Sequence, residues 1–415
     1  MNDKQLEQQA EQQTEIKQAI TAMEQFIREQ QPSRKDLLKH LRESPLPFIP
    51  WYCEQLGPAQ CFALCFEFLQ ALGRYNVALA VGLSMNQYMA FSIACLPVAP
   101  GSALAGLKQQ FKSMVLEQRW ILAVSSFDDF LRHQQQAKAQ VQCRLQEDGS
   151  VICDGLKNFQ SNITEADVLL FSGLLRTKKL TKEQTKQQTE QDGQWQDVGT
   201  GLFYAFLKDT PGLSTGEPVY SGAMTDADTR TLHFDKVHLP KAQMVPVASE
   251  QEALGLHALT RVVFAVMAMA PYMGGAQRAL TLAGQFAHKV HVQDQPLATL
   301  DGTVLDFGRQ NIRFTVCEGL VERFCQALQT LNGSEMGEWL AEQEPKVLAT
   351  KQHISAECEA LVSFARKFIG TRAMLAEHEI SQISQQVLFA ALHPPVNAVI
   401  ERELGQSLLA AIKDS

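Results

Sequence analysis

Residues 154–162 read Asp-Gly-Leu-Lys-Asn-Phe-Gln-Ser-Asn, and Ala166 and Asp167 follow shortly after. Short apolar or alternating runs lie on both sides of this stretch, separated by turn signals such as the one at 147–150. The runs occupy residues 121–124, 141–144, 151–154, 168–173, 202–207 and 231–234. Their spacing predicts an all-β unit of about 125 residues. The stretch 177–200, rich in Lys, Gln and Thr, is predicted to be a solvated excursion between two strands.

Helical patterns flank the β unit. Before it, apolar residues recur at helix spacing from Ile16 to Ile27, and the apolar runs 61–72 and 77–94 are typical of buried helices. After it, apolar residues from Leu259 to Ala270 repeat at intervals of three and four. We therefore predict an α+β fold in three parts. They are an N-terminal helical domain over 1–118, a central barrel-like β domain over 119–246 and a C-terminal helical bundle over 247–415.

Composition narrows the function classes. The 415 residues are 45% hydrophobic and carry a net charge of −8, which argues against disorder and against a nucleic-acid partner. Nine scattered cysteines without a Cys-x-x-Cys pair argue against a metal site or a disulfide framework. The N-terminus has no apolar signal segment, and the apolar stretch 262–275 is predicted to be a core helix too short to span a bilayer. We expect a cytoplasmic protein without a membrane span.

Four phrases resemble the acyl-CoA dehydrogenase family. The stretch from Asp154 to Asp167 is similar to that family's Asn-Gly-x-Lys-x-Trp-Ile-Ser/Thr-Asn…Ala-Asp segment. Residues 231–240 are similar to its Leu-x-Phe-Asp-x-Val-x-Val-Pro strand exit, and 203–213 to its strand and Pro-Gly turn. Thr260-Arg261 and the segment 275–280 fall where the family has a helix. The resemblance spans residues 60–405 in the same order.

The resemblance implies a site for FAD, with FMN as a possible alternative, between the β domain and the C-terminal helices. It implies that Phe159 lies against the flavin ring, that Ser161 bonds to the ring, and that Thr260 and Arg261 bind substrate. The other interpretation of the first two is an inward strand residue and a surface serine. The family also implies a homodimer or homotetramer.

The chain departs from the family at three cofactor and substrate phrases. The loop expected after residues 121–124 reads Ser-Ser-Phe-Asp-Asp, where Ser125 could replace a threonine hydroxyl. The position of a pyrophosphate-binding arginine is Val290, so Lys289 or His288 either supplies charge or belongs to a solvated helix end. The C-terminal Gln-x-x-Gly-Gly segment is not recognisable. These losses weaken the adenine half of an FAD site more than the ring half.

The expected catalytic glutamate is also missing. Ala390 stands at its position, and Thr260 stands at the alternative position. Residues 391–396 read Ala-Leu-His-Pro-Pro-Val instead. This resembles the Leu-His-Asp-Pro-Val phrase of two-component flavin monooxygenases, which share the fold and use a histidine to support the oxygen-reactive flavin. His393 is thus the candidate catalytic residue. The alternative is that the histidine and the two prolines only form the turn at which a helix starts.

Three functions follow from the resemblance. The first, which the resemblance favours, is α,β-dehydrogenation of an acyl thioester, carried by CoA or a carrier protein, with an electron-transfer flavoprotein as partner. The second is monooxygenation of a small hydrophobic substrate by reduced flavin, with a flavin reductase as partner and His393 in the site. The third is a non-catalytic member that has lost its flavin.

Overall fold

The structure is a computed structural model that describes residues 3–125, 141–178, 195–246, 250–331 and 335–413. The α-helices in chain order are α1 (Asp3–Gln30), α2 (Arg34–Glu43), α3 (Cys53–Leu56), α4 (Pro58–Gly73), α5 (Val77–Cys95), α6 (Ala103–Gln118), α7 (Glu250–Met267), α8 (Ala270–Lys289), α9 (Asp301–Leu328), α10 (Met336–Ile369), α11 (Glu379–Val387) and α12 (Asn397–Lys413). The strands are β1 (Leu122–Ser125), β2 (Val141–Leu145), β3 (Val151–Gln160), β4 (Val168–Lys178), β5 (Trp195–Phe206), β6 (Leu213–Pro218), β7 (Arg230–Leu239), β8 (His291–Val292) and β9 (Gln295–Pro296).

Contacts divide the chain into two compact units. The helical unit comprises residues 1–97, 221–227 and 258–415, and the β unit comprises 98–220 and 228–257. The N-terminal and C-terminal helical segments thus form one unit together, and α6 groups with the strands. The order of helices, sheet and helices agrees with the predicted fold class.

The β unit is a seven-stranded mixed sheet in the order β1-β4-β2-β3-β7-β6, with β5 paired to β4. The first half of β4 pairs in parallel with β1 and its second half with β2. All six predicted runs lie in or overlap strands β1–β5 and β7, and β6 is a further strand. β4 and β5 extend into the predicted excursion, as far as Lys178 and from Trp195, because they pair along their whole length. Residues 179–194 lie outside the described chain.

Alternating burial fixes the β core. Along β3, Val151, Cys153 and Lys157 are buried, whereas Ile152 and Asp154 between them are partly exposed. Three phenylalanines meet at the centre of the core. Phe171 lies 5.3 Å from Phe203 and 4.9 Å from Phe234 between ring centroids. Apolar side chains from β2–β5 and β7 therefore face one interior, which holds the register of the strands.

The helical unit is built around α4, α5 and α8, together with α9, α10 and α11. Phe62 of α4 packs edge-on against Phe91 of α5 and Phe324 of α9, at 5.4 and 4.9 Å. Asn76 caps α5 by accepting a hydrogen bond from the backbone N–H of Leu79 at 2.9 Å. The apolar runs predicted to be buried helices are α4 and α5.

The predicted core helix over 262–275 is two helices. α7 ends at Met267 and α8 begins at Ala270, with Pro271 in its first turn. The pyrrolidine ring has no N–H to donate and clashes with the carbonyl four residues earlier, so the helix stops and restarts. The whole of this segment is nonetheless buried, as predicted.

Among the described residues, two helical segments are long and apolar enough to cross a membrane. They are Val77–Cys95 and Gly255–Lys289, and 94% and 78% of their apolar windows are buried within the protein. Such burial is typical of core helices, since a membrane-spanning helix exposes its apolar surface to lipid.

Candidate functional site

Phe159 stands out on an otherwise buried strand end. Its side chain is 61% exposed, whereas Lys157 and Gln160 are buried. A β-bulge interrupts the pairing of β3 with β7 between Lys157 and Gln160, and Phe159 adopts a left-handed φ of 63°. A bulge re-aims a side chain, and a bulky residue in this backbone region is strained. The sheet therefore turns an aromatic ring outward, and the ring of Tyr220 stacks beside it at 6.2 Å.

The segment after the bulge is tied to the start of β7. The Ser161 hydroxyl shares a hydrogen bond of 2.8 Å with the hydroxyl of Thr229. Thr164 donates from its backbone N–H and its hydroxyl to a carboxylate oxygen of Asp228, at 2.9 and 2.5 Å. Arg230 pairs with the other oxygen of Asp228 at 2.9 Å. These bonds hold the backbone on both sides of Ser161 in one conformation.

Ser125, at the end of β1, carries an unsatisfied polar atom. Its side chain is 1% exposed, and its hydroxyl has no hydrogen-bond partner among the described residues. β1 contacts β3, the strand that carries Phe159. Burying a hydroxyl without a partner costs roughly 1–3 kcal/mol. We therefore expect this hydroxyl to bond a group outside the described chain. Residues 126–129, the rest of the loop in which the sequence departs from the family pattern, lie outside the described residues.

His393 lies in the helical unit, between α11 and α12. Its Nε2 shares a 2.5 Å hydrogen bond with the hydroxyl of Tyr272, a residue of α8 with no exposed surface. The ring of Phe264, from α7, packs edge-on against the imidazole at 5.9 Å. Burial and the positive charge of Lys351 lower the pKa of His393 to about 3. The imidazole is therefore neutral near pH 7, with Nδ1 left over for a further hydrogen bond.

A buried lysine lies next to this histidine segment. Lys351 of α10 has no exposed surface, and its ammonium donates to the side-chain oxygen of Asn397 at 2.8 Å. The amide of Asn397 donates in turn to the Ser355 hydroxyl at 2.8 Å. Burial lowers the pKa of Lys351 to about 8.

The substrate-binding candidates lie on α7. Thr260 is partly exposed, and Arg261 pairs with Glu344 of α10 at 2.9 Å and with Glu403 of α12 at 3.3 Å. These ion pairs hold three helices together and engage the guanidinium that the family resemblance assigns to substrate. A substrate role for Thr260 and Arg261 stays a prediction.

Among the described residues of this region, no carboxylate occupies the position where the family has its catalytic glutamate. Ala390 is completely buried at the expected position. Glu379, the nearest carboxylate before it in the chain, forms a two-pronged pair with Arg278 at 2.6 and 2.7 Å. Glu401 accepts a bond from Gln352, and Glu403 is bound by Arg261.

The predicted site residues are divided between the two units. Ser125, Phe159 and Ser161 belong to the β unit, and Thr260, Arg261 and His393 to the helical unit. His288 and Lys289 are exposed in the last turn of α8. Four neighbours were not predicted from the sequence. They are Tyr220, Tyr272, Lys351 and Asn397. They were missed because each lies far along the chain from its partner. Lys351 was missed also because a lysine in a helix ordinarily indicates a solvent-exposed face.

Acid should destabilise the protein through His393. The unfolded imidazole takes up a proton near pH 6.5, whereas the folded one does so only near pH 3, so stability falls as the pH decreases through this window. We expect a loss of about 2 kcal/mol between pH 7 and pH 5 from this residue. Urea unfolding of His393→Gln at both pH values measures it. An equal loss in the variant and the parent would show that His393 titrates normally.

Comparisons with known proteins place the whole chain in one fold. No protein-family model matches the sequence. No curated protein sequence matches it either. Among solved structures, butyryl-CoA dehydrogenase from Megasphaera elsdenii aligns over 95% of this chain and 98% of its own, with a TM-score of 0.74 and 15% identity.

Two further structures show the same fold. The FMN-bound dibenzothiophene monooxygenase TdsC from Paenibacillus sp. A11-2 aligns over 96% of this chain and 97% of its own, with a TM-score of 0.74 and 16% identity. The prolyl acyl carrier protein oxidase AnaB covers 98% of this chain and 99% of its own, with a TM-score of 0.72 and 14% identity. The chain therefore has the acyl-CoA dehydrogenase fold, which a flavin-dependent monooxygenase and an acyl-carrier-protein oxidase share.

Proposed function

We propose that this protein is a flavin-dependent oxidoreductase that uses reduced flavin and oxygen on a small hydrophobic substrate. The observation that carries the reaction type is the bond between His393 and Tyr272, in a region of the described chain where Glu379 and Glu403 are bound by arginines. A flavin, when bound, supplies the electron transfer.

The β unit fits the ring half of a flavin. Phe159 presents an aromatic face to the outside, and such a face stacks well on a planar heterocycle. The hydroxyls of Ser125 and Ser161 would bond the polar edge of the ring. Ser125 supports this assignment most directly, because its buried hydroxyl otherwise has no partner in the described chain.

The helical unit supplies proton chemistry. Tyr272 fixes the orientation of the imidazole through Nε2, and Phe264 keeps water from one face. A neutral histidine can accept a proton or a hydrogen bond at Nδ1 in the tautomer in which Nε2 donates to the Tyr272 oxygen. That capability suits an oxygen-dependent reaction, in which proton release must be controlled at the reacting oxygen.

Dehydrogenation of an acyl thioester is the second candidate. The shared fold with butyryl-CoA dehydrogenase and with AnaB supports it. That reaction needs a base to remove the proton alpha to the carbonyl, and carboxylates normally serve. Among the described residues, Glu379 and Glu401 are the carboxylates nearest His393 along the chain. Glu379 is bound by Arg278, and Glu401 accepts a hydrogen bond from Gln352.

One experiment separates these functions. The purified protein is titrated with FMN and with FAD, and flavin fluorescence is followed. The loaded protein is then mixed anaerobically with a panel of acyl-CoA thioesters, and separately reduced with dithionite and mixed with oxygen. Bleaching by a thioester would overturn the oxygenase proposal in favour of dehydrogenation. Failure to bind either flavin would overturn both and leave a non-catalytic protein.

Ser125→Ala should change stability and cofactor binding in opposite directions. Removing a buried hydroxyl without a partner should stabilise the flavin-free protein by about 1 kcal/mol. Losing its bond to the ring should weaken flavin binding about 5- to 10-fold. Urea unfolding and fluorescence titration measure the two effects. Ser150→Ala is the matched control, since the Ser150 hydroxyl bonds Asp148 and His238 at 2.7 and 3.1 Å. It should destabilise the protein and leave flavin affinity unchanged.

Partners, assembly and compartment complete the proposal. We expect a flavin reductase to deliver the reduced cofactor, or an electron-transfer flavoprotein to accept electrons under the second candidate, in the cytoplasm. A homodimer or homotetramer would cover the apolar side chains exposed on α9 and α12. They are Leu305, Ile312, Leu408, Leu409 and Ile412, each at least 60% exposed. Light scattering after size-exclusion chromatography measures the assembly.

A further inference from the structure

The amine of Lys351 is the most anomalous buried group in the helical unit. It has no exposed surface, and no carboxylate of the described chain lies within ion-pair distance of it. Removing an unpaired ammonium from water is costly, and lysines are rarely buried without a partner. Elsewhere in the unit a cation is paired with a carboxylate, as Arg278 is with Glu379. Lys351 instead has one amide oxygen.

The bonds around Lys351 all lead to one position. The side-chain oxygen of Asn397 accepts from the ammonium, and its nitrogen donates to Ser355, one turn further along α10. The Ser355 hydroxyl is then free to donate to the carbonyl of Gln352 at 2.8 Å. Both ends of the Asn397 amide are thus fixed by α10. Asn397 is the first residue of α12, four residues after His393.

The other face of the histidine segment is fixed by α8. Tyr272 holds the imidazole through Nε2, and the backbone N–H of His393 donates to the carbonyl of Phe389 at 3.1 Å. The segment from His393 to Asn397 is therefore tied at one end to Tyr272 and at the other end to Lys351.

We propose that Lys351 is a positioning residue for His393. Bonded to Asn397, its ammonium anchors the segment that carries the imidazole and adds a fixed positive charge to the surroundings of that segment. This role deepens the proposed function, because an oxygen-dependent reaction with a neutral histidine needs a device that resists protonation.

The charged groups on the helices around this segment support the role. From α8 there is the uncharged phenol of Tyr272. From α7 there is Arg261, whose charge is compensated by Glu344 of α10 and Glu403 of α12. From α12, Glu401 accepts from the amide of Gln352. Lys351 is the charged group that lowers the pKa of His393, after burial, and it is itself ammonium at neutral pH. A second positive charge on the imidazole would be repelled by it.

Lys351→Met tests the role without any cofactor. The methionine keeps the length and the apolar stem but removes the charge and the bond to Asn397. Side-chain NMR of the ten histidines follows the titration, with His393 assigned by the loss of its signal in His393→Gln. We expect the pKa of His393 to rise by at least about one unit, a tenfold gain in proton affinity. Lys346→Met, on an exposed turn of the same helix, should leave it unchanged.

Two further variants keep the outcome decisive. Asn397→Asp places a carboxylate against the ammonium, so it should raise the pKa of His393 while keeping α12 anchored, and it serves where Lys351→Met does not fold. Lys351→Arg keeps the charge and should retain the low pKa. An unchanged pKa of His393 in both Lys351→Met and Asn397→Asp would overturn the role. Because the titration needs no flavin, it stays interpretable even if the protein binds none, in which case only the proposed function fails.

Discussion

Replacing His393 with alanine should shorten roughly 100-fold the interval between oxygen uptake and hydrogen peroxide release by the reduced, FMN-loaded protein. Under the proposed function, the imidazole, held by Tyr272 at 2.5 Å, controls proton release at the reacting oxygen. Positioned acid–base groups contribute about 10²- to 10⁴-fold, and the lower end is expected where other bonds remain. Stopped-flow absorbance with an oxygen electrode and a peroxide assay measures the interval.

Two variants bracket this result. Tyr272→Phe keeps the imidazole but removes its orienting bond, so it should shorten the interval by a smaller factor, about tenfold. His291→Ala, in exposed β8, removes a histidine of the same unit outside the site and should behave as the parent. If His393→Ala behaved as His291→Ala does, then His393 would have only a structural role in the turn before α12, and the oxygen-dependent proposal would lose its catalytic residue.

Gly274→Ala should destabilise the protein by about 3 kcal/mol, the upper end of what overpacking costs. α8 approaches α4 so closely that a Cβ at Gly274 would lie 2.2 Å from the carbonyl oxygen of Gln70 and 2.9 Å from the backbone nitrogen of Arg74. These are backbone atoms, which cannot rotate away. Gly73, on the facing helix, is as close to the backbone of Pro271. The two helices must therefore separate to admit a methyl group.

Gly284→Ala is the matched control for this contact. It lies on the same helix, and its Cβ would meet only the ring of Phe307 at 3.7 Å, an ordinary contact. Alanine has the higher helix propensity, so this variant should be neutral or should stabilise the protein by up to about 1 kcal/mol. Urea unfolding followed by far-UV circular dichroism compares the two. Equal stabilities would mean that α4 and α8 lie further apart than the structure shows.

The local patterns of the sequence carried most of the fold. The apolar runs 61–72 and 77–94 predicted α4 and α5, and the short apolar or alternating runs predicted most strands of the β unit, because local hydrophobicity reports which segments and faces are buried. Pro271 stood in the sequence as well, yet the apolar run around it was predicted to be one helix. β6 was missed because Ser214, Gly216 and Glu217 give it no apolar face of its own, and its pairing with β7 decides its conformation.

The order of helices, strands and helices, the lack of the usual catalytic glutamate, and the interest of His393 and Phe159 could all be read from the sequence. Their surroundings became apparent only in the folded chain. It showed that Phe159 turns outward at a bulge, that the Ser125 hydroxyl is buried without a described partner, and that Tyr272 and Lys351 flank the histidine segment. Tyr272 lies 121 residues from His393, and Lys351 lies 46 residues from Asn397. Periodicity reports local burial, whereas such contacts and the pKa changes they cause depend on which distant elements pack together.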